Sequence, residues 1–124
     1  MYCKTTLFFI FLLTQSVYGN PLIYFIVSSD CPHCHTLMKD INTNQKLMSL
    51  LASEYNIQVI DTIKSDVPRH LPFKGDVPTI VVTNKNKVIG DALHGAIPSN
   101  EIMTYLIHVK NYLKTNNKEV YYVY

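Results

Sequence analysis

Two cysteines separated by two residues are the part of this 124-residue sequence best suited to chemistry. They lie in the segment Cys31-Pro32-His33-Cys34, directly after a turn-forming Ser-Ser-Asp stretch. Residues three apart on the first turn of a helix share one face, so the two sulfurs can reach disulfide distance. The free N–H groups at a helix N-terminus favour an anion, which predicts Cys31 as the nucleophilic thiolate and Cys34 as the resolving thiol.

The two residues between the cysteines are predicted to tune the redox potential. Pro32 fits an early helical position, where its missing N–H costs nothing, and it stiffens the turn. A protonated His33 would add positive charge beside the Cys31 thiolate and stabilise the reduced pair. Because a stable reduced form makes the disulfide a stronger oxidant, Pro32 and His33 favour an oxidant. The redox group would be the Cys31–Cys34 disulfide itself, with no other cofactor.

The cysteine count supports chemistry rather than a structural disulfide. Of three cysteines, Cys3 lies in the apolar N-terminal segment, which leaves only Cys31 and Cys34. A small exported domain held together by disulfides usually carries a wider framework. Closing so short a loop also restricts the unfolded chain very little.

Residues 1–19 have the pattern of a secretory signal peptide. Lys4 precedes an apolar run over residues 7–13, and Val17 and Gly19 suit a cleavage site before Asn20. The run is shorter than the roughly 20 residues that span a bilayer, so no stable membrane insertion is expected. A retained membrane anchor is the alternative interpretation.

The mature chain is predicted to be one domain, residues 20–113, followed by a tyrosine-rich tail or edge strand, residues 114–124. Removing residues 1–19 lowers the Lys and Arg count from 11 to 10, against 9 Asp and Glu, a net charge of about +1. Charges this few and scattered do not indicate a nucleic-acid or anionic membrane partner.

Hydrophobic patterns predict four strands and at least three helical segments. Runs of β-branched and aromatic residues predict strands at 22–27, 57–63, 79–83 and 87–90. Helical spacing covers 34–41 and 47–55, with a break at 42–44, and a last helix would begin at a capping Ser99 and reach Leu113. Prolines and a glycine between 65 and 76 allow at most a short helix near 68–73.

The predicted order is β-α-β-α-β-β-α. A short crossover through a helix makes the first two strands parallel, whereas the last two strands form an antiparallel hairpin. The fold class is therefore α/β, with one mixed four-stranded sheet and helices on both faces.

These elements and motifs resemble the thioredoxin-fold superfamily, especially its exported Dsb-type and short thioredoxin-related members, over Leu22 to Leu113. The Cys31–Cys34 segment is similar to the active-site motif of the bacterial periplasmic disulfide oxidant. Val77-Pro78, 44 residues after Cys34, looks like the family's cis-proline segment. Gly95 falls where the family often has a glycine before its last helix.

The resemblance implies a thioredoxin-like fold and thiol–disulfide oxidoreductase activity. Its substrates would be cysteine-containing polypeptides, which Val77 and a cis Pro78 would bind in extended form, and a redox partner would recharge the pair. We expect a monomer in the periplasm, with a secreted or secretory-lumen protein as the alternative. One departure is Phe25, six residues before Cys31, where many relatives have a buried carboxylate.

Two other functions remain open from the sequence. Cys31-x-x-Cys34-His35 is also the attachment pattern of c-type haem, although the predicted strands are unusual in small haem proteins. Alternatively, the cysteines with His33 or His35 could carry copper. No second cluster of ligands supports this, because the remaining histidines are isolated: His70, His94 and His108. We therefore expect no metal.

Overall fold

The computed structural model describes residues 19–115. Its strands are β1 (Leu22–Val27), β2 (Asn56–Asp61), β3 (Thr79–Asn84), β4 (Lys87–Val88) and β5 (Leu93–His94). Its helices are α1 (Pro32–Thr43), α2 (Gln45–Glu54) and α3 (Ser99–Thr115). The α/β class is confirmed, and the elements appear in the order β1-α1-α2-β2-β3-β4-β5-α3.

The sheet is mixed, with strands in the order β2-β1-β3-β4 and β5 also pairing with β3. β1 runs parallel to β2 and antiparallel to β3, with Phe25 opposite both Val59 and Ile80. The parallel pairing follows from the crossover that α1 and α2 make between β1 and β2. The continuous apolar run of β1 fits its central place in the sheet.

Asn44 produces the predicted break between the first two helices. Its backbone N–H donates to Ile41 at the end of α1, while its side-chain oxygen accepts from the Leu47 N–H in the first turn of α2, at 3.1 Å. Asparagine is a preferred N-cap residue, because its side chain satisfies an otherwise unpaired amide. The result is two consecutive helices.

A carboxylate from α1 satisfies the start of α3. Ser99 was expected to cap this helix with its own side chain. Instead, its N–H and hydroxyl both donate to the Asp40 carboxylate, at 2.8 and 3.0 Å. An anion at a helix N-terminus is favoured by the helix dipole, so this contact also fastens α3 to α1. The acidic Glu101 lies in the first turn, and the helix extends to Thr115, beyond the predicted end at Leu113.

The two faces of the sheet are covered by different kinds of structure. Ile23 and Phe25 point to the face covered by all three helices, which contribute Leu37, Leu51 and Leu106, among others, to one buried cluster. Tyr24 and Ile26 point to the opposite face. There the covering side chains come from the irregular segment between β2 and β3: Val67, Leu71, Phe73 and Val77.

The expectation of helices on both faces is therefore wrong, because residues 62–78 contain no helix. Pro68 and Pro72 lack backbone donors, and Gly75 has a φ of +101°, outside the helical region. Only an isolated turn forms near 68–73, with the Leu71 N–H donating to the Pro68 carbonyl at 3.2 Å. The predicted second helix of the β-α-β-α order is replaced by loop.

The predicted hairpin forms between β3 and β4. Lys85 and Asn86 both have positive φ, 55° and 68°, as a tight two-residue hairpin turn requires. β4 ends at Val88, two residues earlier than expected, and the chain then returns to pair with β3 through β5. This short fifth strand was not predicted.

The predicted signal peptide, apart from Gly19, lies outside the described residues. So do residues 116–124 of the predicted tail or edge strand. Within residues 19–115, none of the helices is long and apolar enough to span a membrane.

Candidate active site

Cys31 lies at the N-cap of α1, as predicted. Its backbone is extended, with φ −100° and ψ 114°, and its Sγ accepts a hydrogen bond from the Cys34 N–H at 3.1 Å. The side chain is half-buried, and both cysteines are free thiols. An amide donor at a helix N-terminus stabilises a thiolate, so this sulfur has the surroundings of a nucleophile.

Cys34 lies one turn further into α1 and is only 3% exposed. Burial, and then the hydrogen bond with Cys31, raise the pKa of its thiol to about 11. The negative charge of Asp30 acts in the same direction. The two sulfurs are therefore close together but chemically unequal, with one accessible at the surface and the other protonated in the interior.

The segment before Cys31 is held in place by hydrogen bonds to its neighbours. The Cys31 N–H donates to the Ser28 carbonyl at 3.2 Å, and the Ser28 hydroxyl donates to Asp30. Asp61, at the end of β2, accepts from the N–H groups of Ile63 and Ser29, and these bonds lower the pKa of its carboxyl. The turn is thus attached to the sheet on which α1 packs.

The three residues next to the cysteines have different surroundings. Pro32 occupies the first turn of α1, where no N–H is needed. His33 is exposed. His35 is tied back to the preceding turn, because its Nε2 donates to the Ser29 carbonyl at 3.0 Å.

Val77 and Pro78 lie beside the cysteines, although they are more than 40 residues away in sequence. The Val77–Pro78 peptide bond is cis. The Val77 carbonyl oxygen is 3.9 Å from Cys31 Sγ, which can donate to it as a thiol. The two motifs singled out in the sequence therefore meet at one site, where the N-terminus of α1 faces the loop before β3.

The position six residues before Cys31 is apolar, whereas the resemblance noted above would favour a buried acid there. Phe25 is 2% exposed and packs within the helix-covered cluster. Asp30 is the carboxylate whose charge acts on Cys34, and it lies at the surface, not beneath the helix. Phe25 is thus a buried side chain that cannot exchange protons.

Comparison with solved structures connects this arrangement to known proteins. A thioredoxin from Thermus thermophilus superposes with a TM-score of 0.62 at 19% identity, covering 90% of this chain and 92% of that one. Thioredoxin-2 of a malaria parasite gives 0.59 at 18%, covering 72% and 82%. Mitochondrial thioredoxin 3 of Saccharomyces cerevisiae gives 0.58 at 16%, covering 77% and 84%. The chain has the thioredoxin fold.

Sequence comparison alone does not reach this conclusion, since no family model and no curated protein matches the chain. Thioredoxin-fold proteins carry many activities, so the site must supply the argument for function. In this chain the candidate site is the Cys31–Cys34 pair at the start of α1 together with the cis-proline loop.

The structure bears on both alternative functions without favouring either. The Nε2 of His35, which a haem iron would require, donates to a backbone carbonyl instead. Within residues 19–115, no group of three or more His, Cys, Asp or Glu side chains is placed to hold a metal ion. His70, one of the histidines distant from the cysteines in sequence, packs edge-on against the Tyr24 ring.

Sequence reasoning missed one group of polar residues at the site. His94 was taken as isolated, but its Nδ1 lies 2.9 Å from the Asp76 carboxylate and 3.3 Å from the Thr79 hydroxyl. These residues flank Val77-Pro78 on both sides. Because β5 was not predicted, the sequence had no signal that would bring His94 to this loop.

Proposed function

We propose that this protein is a thiol–disulfide oxidoreductase that exchanges disulfides with cysteine-containing polypeptides and favours the oxidant direction. One observation supports the proposal above all. A half-buried sulfur at a helix N-terminus, Cys31, lies between a buried resolving thiol, Cys34, and the Val77 carbonyl of a cis-proline loop.

In the oxidant direction, a substrate thiolate attacks the Cys31 sulfur of the Cys31–Cys34 disulfide. The S–S bond breaks, and Cys34 leaves with the electron pair and takes up a proton. A second substrate thiolate then attacks the substrate sulfur of the mixed disulfide and releases the Cys31 thiolate. Two electrons pass from the substrate to the protein, and a redox partner must later remove them.

The inequality of the two sulfurs supports this sequence of steps. Burial raises the pKa of Cys34 to about 11, so this thiol is protonated at neutral pH once it has left. Cys31 accepts a hydrogen bond from the Cys34 N–H and lies at the surface, so it is the sulfur that a polypeptide can reach. Pro32 and His33 then set the potential, and Val77 and Pro78 bind the substrate backbone.

Equilibration with a series of glutathione redox buffers tests the direction of electron flow. Proteins of this kind span about −270 mV for thioredoxin to about −120 mV for strong oxidants, and about 30 mV corresponds to about 1.4 kcal/mol. We expect a potential nearer the oxidant end. A value close to that of thioredoxin would contradict the oxidant direction while leaving exchange activity intact.

Loss of Cys31 tests the activity itself. Cys31→Ser should abolish both insulin reduction and thiol oxidation, because no sulfur then remains at the surface to form the mixed disulfide. His108→Ala, on α3, serves as a control and should retain full activity. Unchanged exchange by Cys31→Ser would overturn the proposal.

We also propose that the protein works outside the cytoplasm as a monomer, after removal of residues 1–19. The apolar run after Lys4 and the cleavage pattern at Val17 and Gly19 support export. N-terminal sequencing of protein recovered from the periplasm or the medium should begin at Asn20. Retention of Met1 on a membrane-bound protein would contradict this part of the proposal.

A further inference from the structure

The loop that carries Val77 and Pro78 is attached to β5 on both sides. Before the two residues, the Asp76 carboxylate pairs with His94 Nδ1 at 2.9 Å. At the second of the two residues, the Pro78 carbonyl accepts a hydrogen bond from the Gly95 N–H at 2.9 Å. His94 and Gly95 are adjacent in sequence, so one short strand and the residue after it hold both ends of the loop.

Thr79 connects these contacts to the interior. Its side chain is fully buried, and its hydroxyl donates to the Asp76 backbone carbonyl at 2.7 Å. The Thr79 hydroxyl oxygen also lies 3.3 Å from His94 Nδ1. Thr79 and His94 are direct partners in the β3–β5 pairing. Both the main chain and the side chain of Asp76 are thereby held from β3 and β5.

The Asp76–His94 contact is not expected to contribute much to the stability of the whole domain. The two side chains are 54% and 40% exposed, and exposed ion pairs usually contribute little to the free energy of unfolding. Their location is more informative. Asp76 directly precedes Val77, whose carbonyl oxygen is 3.9 Å from Cys31 Sγ. A shift of Asp76 would therefore move the backbone that faces the reactive sulfur.

We infer that the Asp76–His94 pair positions the cis-proline loop for polypeptide substrates. His94 acts through Asp76, holding the Val77 backbone where an extended substrate can pair with it beside Cys31. The inference rests on the proposed function and goes beyond it, because it assigns this pair to recognition of the substrate backbone. Exchange with a disulfide that has no peptide backbone should not depend on the pair.

Two substrates separate backbone pairing from sulfur chemistry. We would measure kcat and KM for reduction of a disulfide-containing peptide, and in parallel of 2-hydroxyethyl disulfide, with reduced glutathione regenerating the Cys31–Cys34 dithiol, in Asp76→Ala, His94→Ala and the double variant. For each variant we expect KM for the peptide to rise about fivefold, the size that loss of one exposed polar contact allows. The rate with 2-hydroxyethyl disulfide should stay within about twofold of wild type.

The combination of substitutions tests whether the two residues act as a unit. If His94 works only through Asp76, the double variant should be no worse than either single variant. His94→Asn should restore much of the peptide KM, because its amide can place an N–H donor near the position of Nδ1. Lys110→Ala breaks the remote Lys110–Glu54 ion pair, 3.1 Å long, and should leave both substrates unaffected.

Other outcomes would overturn the inference. An unchanged peptide KM would show that the pair does not position the loop. An equal loss with both substrates would place its effect on the sulfurs, and additive effects would indicate two independent contacts. If wild type exchanged with neither substrate, the proposed function would fail as well, whereas activity on both confines any failure to this pair.

Discussion

The two faces of the sheet are built in different ways, although the same strand supplies the centre of both. On one face, three helices bury a continuous cluster that includes Ile23 and Phe25 of β1. On the other, the alternate residues Tyr24 and Ile26 are covered by a proline-containing loop with no helix. The first face is held by many periodic contacts, and the second by a few individually placed side chains.

The candidate site lies where these two kinds of structure meet. Cys31 and Cys34 come from α1 in the helical layer, whereas Val77 and Pro78 come from the end of the irregular segment. The two sulfurs are therefore fixed by helix packing, and the backbone proposed to bind the substrate is fixed by loop contacts. Changes to the two layers should affect different properties of the protein.

The largest effect on stability is expected in the helical layer. Leu106 of α3 is fully buried among the three helices, so Leu106→Ala should lower the free energy of unfolding by about 3 kcal/mol. The exchange rate per folded molecule should stay unchanged, because the site is not altered. Denaturant unfolding with parallel activity assays measures both. A loss of peptide exchange in the folded protein would contradict the separation of the two layers.

Substitutions in the irregular segment, residues 62–78, should cause a smaller loss of stability together with a change in substrate binding. Leu71 is 6% exposed and belongs to the same cluster as Val77. Leu71→Ala should cost about 2 kcal/mol and also raise KM for a peptide disulfide, because the loop loses an anchor. Kinetics with the peptide and with 2-hydroxyethyl disulfide check this. If KM stays at the wild-type value, the loop is positioned without this layer.

The pH dependence of stability should show the burial of Cys34 in the helical layer. Because its pKa rises from 9.0 to about 11 on folding, the neutral thiol stabilises the reduced native state. This contribution is fully present below pH 9 and is lost as pH rises from about 9 to about 11. Urea unfolding of the reduced protein at pH 8 and pH 10.5, compared with Cys34→Ser, isolates it. If the free energy of unfolding changed with pH in the same way in both proteins, the buried Cys34 thiol would make no such contribution.

The smallest effect is expected from a single hydrogen bond between helical elements. The Tyr55 hydroxyl, at the end of α2, donates to the Leu106 carbonyl at 2.6 Å, and burial raises the pKa of this phenol. Tyr55→Phe should lower the free energy of unfolding by about 1 kcal/mol. Exchange kinetics should not change. A shift in peptide KM would show that α2 influences the site more than its contacts imply.

Elements with a regular hydrophobic period could be predicted from the sequence. β1 is found at its expected residues, and α1 and α2 are separated at Asn44, where the period is interrupted. The placement of Cys31 and Cys34 could also be anticipated, because it depends on local spacing at a helix start.

The remainder depends on contacts between distant residues. Residues 62–78 cover one face of the sheet without any periodic signal, so the expectation of a short helix there failed. The Asp76–His94 pair joins residues 18 apart and exists only because β5 pairs with β3 in one register. No local pattern encodes that register.

Trapping of a mixed disulfide tests the central claim most directly. In Cys34→Ser the Cys31 thiolate can still attack a disulfide-containing peptide and release one peptide thiol, but no resolving thiol is present to release the mixed disulfide internally. We expect mass spectrometry to find this adduct in high yield on Cys31, and only a trace in wild type. No adduct on Cys31 would contradict the account.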